Sequence, residues 1–418
     1  MMKYTLANGL KVVLNKMPYM RSVSIGIYIK SGSAYETQSN NGIAHFIEHM
    51  LFKGTSARSS SRISEESDEL GGTLNAYTAE ECTCVYIKVL AAWVKHAFDL
   101  VDDIVSDPIF DDAAIENEKK VIIEEIASAD DNPEDAAQEM LMSNMFAASS
   151  IGMPVLGRLE TVNSFNKKLL REFYEAHYTP DNMVLSIAGN FDENEIKAVI
   201  EESRLAKKPA SKQNVPKIPT PVEMFGGKYL GNRDIGQIQL VAGYPCVARH
   251  DPLLYAFVVL SGILGGDSSS RFFRRLREEN GLVYNVDATA MEYECTGVFV
   301  VNTSFSGENT ELVCKMLREE ICDVLKNGVT QEELERTKRN ITASLELEEE
   351  GTMSVMSMQG KRVLYGIESN SDQIRENYMR VTNDDIIHAA KIAFSDKTKE
   401  AVAVIGDIDE SVRFSIIA

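Results

Sequence analysis

The amino-acid sequence predicts an α+β protein of two homologous domains, each a mostly antiparallel sheet with helices packed on one face. Three observations carry that expectation. A strand-like pattern occurs twice, a proline-rich break falls near the middle of the chain, and strand-like and helix-like segments follow the same order on both sides of the break. The 418 residues suit two domains of about 200 each.

The repeat is the strongest of the three. ECTCVYI (81–87) returns as ECTGVFV (294–300), 213 residues later, and VLSIAGNFDE (184–193) returns as AVAVIGDIDE (401–410), 217 residues later. Branched apolar residues mark both pairs as strands, and a Gly-Asn or Gly-Asp turn closes the second. Two echoes in the same order at nearly the same offset indicate a duplicated fold. The break, RLAKKPASKQNVPKIPTPVEM, holds four prolines and no hydrophobic period. It divides the chain into an N-terminal domain at 1–204, a linker at 205–223 and a C-terminal domain at 224–418.

The opening MMKYTLANGLKVVLNKMP reads as strand, Asn-Gly turn and strand rather than as a targeting leader. AAWVKHAFDLVDDIVS and DAAIENEKKVIIEEIASA carry an amphipathic helical period, with Asp111 or Asp112 as the cap of the second. No apolar run reaches the roughly 18 residues of a membrane span. The six cysteines form no CxxC pair and no disulfide ladder, a pattern of reduced thiols that points to the cytoplasm. A formal net charge of −20 argues against nucleic acid as partner, despite the arginines of RFFRRLRE, and is compatible with cationic peptides.

The chemistry concentrates in HFIEHMLFKGT. His45 and His49 stand at i and i+4, so on a helix both imidazoles leave one face and can bind one zinc ion. Glu48 lies on nearly the same side, placed to take a proton from a metal-bound water, and the order inverts the HExxH arrangement. A catalytic zinc needs a third protein ligand. ENEKKVIIEEIASADD offers carboxylates, of which Glu118 and Glu125 share a helical face and Glu124 points elsewhere. The remaining histidines, His96, His177, His250 and His388, have no ligand-like spacing.

HFIEHMLFKGT, LGGTLNAYTAEECTCVY and ENEKKVIIEEI together resemble the N-terminal half of the pitrilysin (insulinase) family of inverzincin metallopeptidases. The likeness is greatest to the short members, the bacterial processing peptidases and the catalytic subunit of the mitochondrial processing peptidase. It continues through YTPDNMVLSIAGNF and SSSRFFRRLREENGLVYNV, hence over nearly the whole chain. The resemblance implies a zinc endopeptidase with one zinc per chain, held by His45, His49 and Glu125, with Glu48 as base. The 75 residues between His49 and Glu125 match the family's spacing and select Glu125 over Glu124. Glu118 matches a glutamate that orients a histidine ligand. Asn75 and Ala76 match an edge-strand segment that holds substrate backbone. Arg277 and Tyr284 match an R-x6-Y pair that in larger relatives binds the carbonyl oxygen. On residue type alone Asn75 reads as a turn-end residue, Arg277 as part of a solvated helix and Tyr284 as a core aromatic.

At the 213-residue offset, His45, Glu48 and His49 fall on Val258, Ser261 and Gly262, so the second domain is expected to be metal-free. Longer family members hold four such domains in one chain. The resemblance therefore implies a homodimer of this chain, or a heterodimer with a metal-free homologue, acting on basic, short or unfolded peptides. It also leaves open a noncatalytic peptide-binding or scaffold subunit of a hetero-oligomeric processing peptidase. Such subunits generally lose residues of the motif, and this chain keeps them all.

Overall fold

The computed structural model describes residues 1–210, 217–218, 220–408 and 414–417. Those residues form two compact units, each built on one sheet. The α+β class and the duplication both hold.

The first unit carries strands β1 (Met2–Thr5), β2 (Lys11–Lys16), β3 (Ser22–Ile29), β4 (Thr73–Thr78), β5 (Thr83–Leu90) and β6 (Met183–Gly189), ordered β1-β2-β6-β3-β5-β4. The second carries β7 (Gly227–Asn232), β8 (Ile238–Cys246), β9 (Val283–Glu292), β10 (Gly297–Phe305) and β11 (Ala401–Gly406), ordered β7-β11-β8-β10-β9. Removing the edge strand β1 makes the two orders correspond one to one. Directions correspond too: β2 runs parallel to β6 and β7 to β11, while the other neighbours are antiparallel. The repeated sequences are thus β5 with β10 and β6 with β11.

Strand alternation explains where the core sits. In the first sheet Val23, Ile25, Ile27, Val85, Ile87 and Leu185 pack under the helices Ile43–Leu51, Val94–Ser106 and Lys167–His177. The intervening residues are also apolar or small, among them Val13, Tyr28, Cys84, Val184 and Ala188, and they need cover of their own. It comes from the helix Thr352–Leu364, a segment expected to belong to the C-terminal domain. Met356 accepts from the Tyr28 hydroxyl at its sulfur (3.4 Å) and from Ser186 Oγ at its carbonyl (2.8 Å).

The second sheet solves the same problem in the same way. One face buries Leu240, Tyr244 and Phe299 against Phe257 of the helix Leu254–Gly265 and Phe394 of the helix Asn383–Phe394. The other face is covered by the helix Pro133–Met145: a Cβ at Gly243 would meet Met145 Sδ at 2.9 Å, and Asn302 Nδ2 donates to Glu134 Oε1 (2.8 Å).

The units are therefore discontinuous: Met1–Ala127, Met153–Ile218 and Glu346–Glu368 in the first, Ser128–Gly152, Pro219–Leu345 and Ser369–Ala418 in the second. The expected contiguous division at 1–204 and 224–418 differs in these two exchanged helices, because both faces of each sheet are apolar. Helices also cover two faces rather than one.

The linker begins later than expected. Leu205 is fully buried within the short helix Arg204–Lys207, its N–H donates to Asp102 Oδ1 (2.9 Å), and Asn8 Nδ2 donates to the Leu205 carbonyl (2.8 Å). Residues 211–216 and 219 of the 205–223 linker lie outside the described residues. All six cysteines are free thiols. Among the described residues no helix is long and apolar enough to cross a membrane.

The exchanged helix packs tightly enough to test. A Cβ at Gly360 would sit 2.3 Å from Tyr28 Cε2. Gly360→Ala gains about 1 kcal/mol of helix propensity but incurs overpacking of about 1–3 kcal/mol. The expected result is a net loss of stability, read as a lower urea midpoint. An unchanged or higher midpoint would show that this helix does not pack on β3 as described.

Candidate metal centre

The motif lies on the helix Ile43–Leu51, and its start is held by groups outside the motif. Gly42 precedes it at φ +91°, a left-handed conformation that suits glycine, and a Cβ there would meet Gly157 Cα at 2.6 Å. The first N–H groups of the helix need acceptors. Glu36 supplies them: Oε2 accepts from Gly42 N (2.7 Å) and Asn41 Nδ2 (2.9 Å), and Oε1 from Ala44 N (2.8 Å). Burial pushes the Glu36 carboxyl up to about 7, against the pull of these three donors.

The other side of the site is the helix Asp112–Asp131, capped by Asp111, whose Oδ1 accepts from Ala114 N (3.0 Å). Ile115, Glu118 and Ile122 form its buried stripe at i, i+3 and i+7, and Glu125 continues that stripe at i+10. Glu124 is exposed. The helical period thus turns Glu118 and Glu125 together toward the motif helix.

Three donors converge. One ligand atom each from His45, His49 and Glu125 lies within 4.8 Å of the others. Glu125 Oε2 is 3.5 Å from His49 Nε2 and 3.9 Å from His45 Nε2, and the two imidazole centroids are 4.5 Å apart at 62°. A tetrahedral ion with ligands at about 2.0–2.1 Å would separate its donors by roughly 3.3 Å, so the set fits zinc with little adjustment. Among the described residues this is the one group of three or more His, Cys, Asp or Glu side chains able to hold a metal.

The protonation pattern favours such a ligand role. His49 Nδ1 lies 2.9 Å from Glu118 Oε1, and Lys53 Nζ lies 2.7 Å from Glu118 Oε2. Burial would raise the Glu118 carboxyl, but His49 and Lys53 outweigh it and hold the group below its ordinary value. An ionised carboxylate only accepts, so the His49 proton sits on Nδ1 and leaves the Nε2 lone pair for an ion. For His49, burial lowers the pKa, but Glu118, Glu125 and Glu48 raise it overall. His45 is held neutral: burial, with His49 beside it, pushes its pKa down to about 3. Its Nδ1 is buried without a hydrogen-bond partner.

Glu48 stands between this cluster and the sheet. Its Oε2 accepts from Thr78 Oγ1 at 2.5 Å, and burial raises its carboxyl above the ordinary value despite that bond. Thr78 ends β4, the open edge strand of the sheet that also carries Asn75 and Ala76. Ala79 N–H donates to Cys82 O (2.8 Å), so the residues in phase with Ala79, Asn75 and Tyr77, turn their backbone groups toward β5. Those of Leu74, Ala76 and Thr78 face the open edge. Ala76 N–H there donates to Asn75 Oδ1 (2.8 Å). Asn75 is therefore a mid-strand residue and not a turn end, and it is Ala76 rather than Asn75 that offers backbone at the edge.

Arg277 and Tyr284 belong to the second unit and are brought to each other. The guanidinium lies 5.0 Å from the Tyr284 ring centroid, and Nη1 donates to the Tyr284 carbonyl (2.7 Å). Tyr284 is 75% exposed, which rules out the core reading of that ring. The helix Leu254–Gly265, which carries Val258, Ser261 and Gly262, packs against β9 as the motif helix packs against β4.

Comparison with known proteins agrees with this geometry. The model of the family described as insulinase (peptidase family M16) matches residues 11–158, and that of the peptidase M16 inactive domain matches residues 164–341. The chain belongs to the insulinase family of peptidases. The insulinase match spans the whole metal-centre cluster, and the inactive-domain match spans the helix Leu254–Gly265, the second unit's counterpart of the motif helix. A protein of Bacillus subtilis named an uncharacterized zinc protease is 35% identical over 397 residues, covering 94% of this chain and 96% of its own. One of Rickettsia felis with the same description is 35% identical, covering 96% and 97%. A solved structure of a protease from Helicobacter pylori shares the fold at a TM-score of 0.90 with 18% identity, covering 97% of this chain and 99% of its own. The M16 inactive domain from Pseudomonas fluorescens shares it at 0.89 with 20% identity, covering 98% of both chains.

Sequence reasoning missed Glu36, Lys53 and Thr78. Lys53 carried a signal, four residues after His49 and just past the end of the motif helix. Glu36 and Thr78 lie on other segments, and only the fold brings them to the site.

Three substitutions test the cluster. Glu125→Gln should lose bound zinc while Glu124→Gln retains it, read by metal analysis of the purified proteins. Glu118→Gln should weaken zinc binding about 10–100-fold in a competition titration, because it removes the carboxylate that orients His49.

Proposed function

We propose that this chain is a zinc-dependent endopeptidase that hydrolyses short or unfolded peptides. The observation that carries the reading is the convergence of His45, His49 and Glu125 beside Glu48 at the open edge of a sheet. When bound by these three residues, one zinc per chain supplies a Lewis acid that acidifies water and polarises a peptide carbonyl.

The rest is done by the protein's own groups. A peptide adding to β4 pairs with the outward backbone of Leu74, Ala76 and Thr78, and Asn75 releases the Ala76 N–H to a substrate carbonyl. Glu48 takes a proton from the attacking water at its carboxylate and returns it to the leaving amine nitrogen. Glu118 fixes the His49 ring through Nδ1. In the dimer, Arg277 and Tyr284 act at the metal centre of the partner chain, where they donate to the carbonyl oxygen as it gains charge. The reading includes a dimer, either of two such chains or with a metal-free homologue, in the cytoplasm. The net charge of −20 favours basic peptides through long-range attraction.

The test is cleavage of an unstructured basic peptide by the purified protein with zinc. Chelation should abolish cutting and zinc should restore it. Glu48→Gln should lower kcat by at least about a hundredfold while zinc content stays unchanged. A Glu48→Gln protein that cuts at the wild-type rate overturns Glu48 as the base, whereas a zinc-loaded wild type that cuts nothing overturns the peptidase reading and leaves a peptide-binding or scaffold role. Tyr284→Phe and Arg277→Ala should each lower kcat/KM by about a hundredfold if they hold the oxyanion. The mass of the protein in solution separates a homodimer from a chain that needs a different partner.

A further inference from the structure

Thr78 has a side chain whose position none of the roles above uses. Its backbone lies at the open edge of β4, while its side chain hydrogen-bonds Glu48 Oε2 at 2.5 Å. Its hydroxyl proton has two nearby oxygens to choose from. The other is Thr83 Oγ1, at 3.3 Å, and Thr83 already donates to the Ser31 carbonyl (3.0 Å). The carboxylate is both closer and charged, so the Thr78 proton goes to Glu48. Thr83 in turn is fully buried at the start of β5, which anchors the pair to the strand beside the edge.

We propose that Thr78 is a positioning residue that couples peptide binding at the β4 edge to the setting of Glu48. This inference rests on the peptidase reading and deepens it. One carboxylate oxygen is held by Thr78, so the group cannot rotate freely and Oε1 remains as the proton acceptor. A peptide strand laid on β4 hydrogen-bonds the backbone of the same residue, and thereby fixes the strand end that carries the hydroxyl. Substrate engagement and base alignment then share one residue. A peptide that fails to extend along β4 as far as Thr78 leaves the base less well held, which makes the length of the β-paired segment a determinant of turnover rather than of binding alone.

The test uses the full-length zinc-loaded protein and two variants. Thr78→Val keeps the β-branched shape and removes the donor, whereas Thr78→Ser keeps the donor. Thr78→Val should lower kcat about tenfold or more with KM and zinc content near wild type, and Thr78→Ser should retain most of the activity. In a Glu48→Gln background the further change Thr78→Val should cost nothing more, because both act through one group. Equal losses in the valine and serine variants, or a valine variant with wild-type kcat, overturn the proposal. Crystal structures supply a readout independent of activity. The Glu48 carboxylate should hold one orientation in wild type and Thr78→Ser and a shifted or divided one in Thr78→Val. A carboxylate unmoved in Thr78→Val overturns the proposal even if the wild type shows no peptidase activity, whereas inactivity of the wild type with a shifted carboxylate counts against the peptidase reading alone.

Discussion

The chain Lys53–Glu118–His49 is the contact on which the site depends. A carboxylate with only 4% of its surface exposed is costly unless it is paired, and Glu118 is paired on both oxygens. The ammonium keeps it ionised, the ionised form holds the His49 proton on Nδ1, and that choice frees Nε2 toward Glu125. The same bonds bind the helix Ile43–Leu51 to the helix Asp112–Asp131, two elements that supply the donors from far apart in the chain. Glu36 at one end of the motif helix and Lys53 beyond the other hold it from both ends.

Around this contact the sheet does a second task. Its edge strand is left open, its outward backbone falls on alternate residues, and its last residue reaches Glu48. The open edge strand and Glu48 are thereby placed on elements that touch each other, although residues 52–72 separate them in the chain. The second unit repeats the sheet, strand order and helix placement while carrying Val258, Ser261 and Gly262 at the offset of the motif. A fold that stands without the two histidines and the glutamate shows that they are not there for stability.

The exchange of helices between the two halves follows from strand composition. Alternation in β3 and β6 leaves no charged face: Ile25 and Ile27 point one way, and Tyr28, with Gly26 and the buried Ser24 and Ser186 beside it, the other. A sheet apolar on both sides must be covered twice. The segment around Thr352–Leu364 has the small residues that permit it, Gly360 lying against Tyr28 and Thr352 bonding Ser24 Oγ (2.9 Å). The sequence reading divided the chain at 205–223 and assigned each half its own residues, so it did not foresee which sheet either helix would meet.

Local rules sufficed wherever the governing distance along the chain was short. The hairpin at Asn8-Gly9, the amphipathic helices, the i, i+4 pair of histidines with Glu48, and the common face of Glu118 and Glu125 all follow from periods of two or 3.6 residues, and the repeat made the duplication legible. Long-range pairings were decided only in three dimensions. Which carboxylate of the Asp112–Asp131 helix reaches the histidines depends on how two helices cross, and Glu125 was chosen beforehand by family likeness rather than by chain geometry. Glu36, Lys53 and Thr78 acquire their partners through the burial of charge and hydrogen-bonding groups, a constraint that acts on neighbours in space. The same is true of the exchanged helices, whose partner is the uncovered face of a sheet formed by strands far away in the chain.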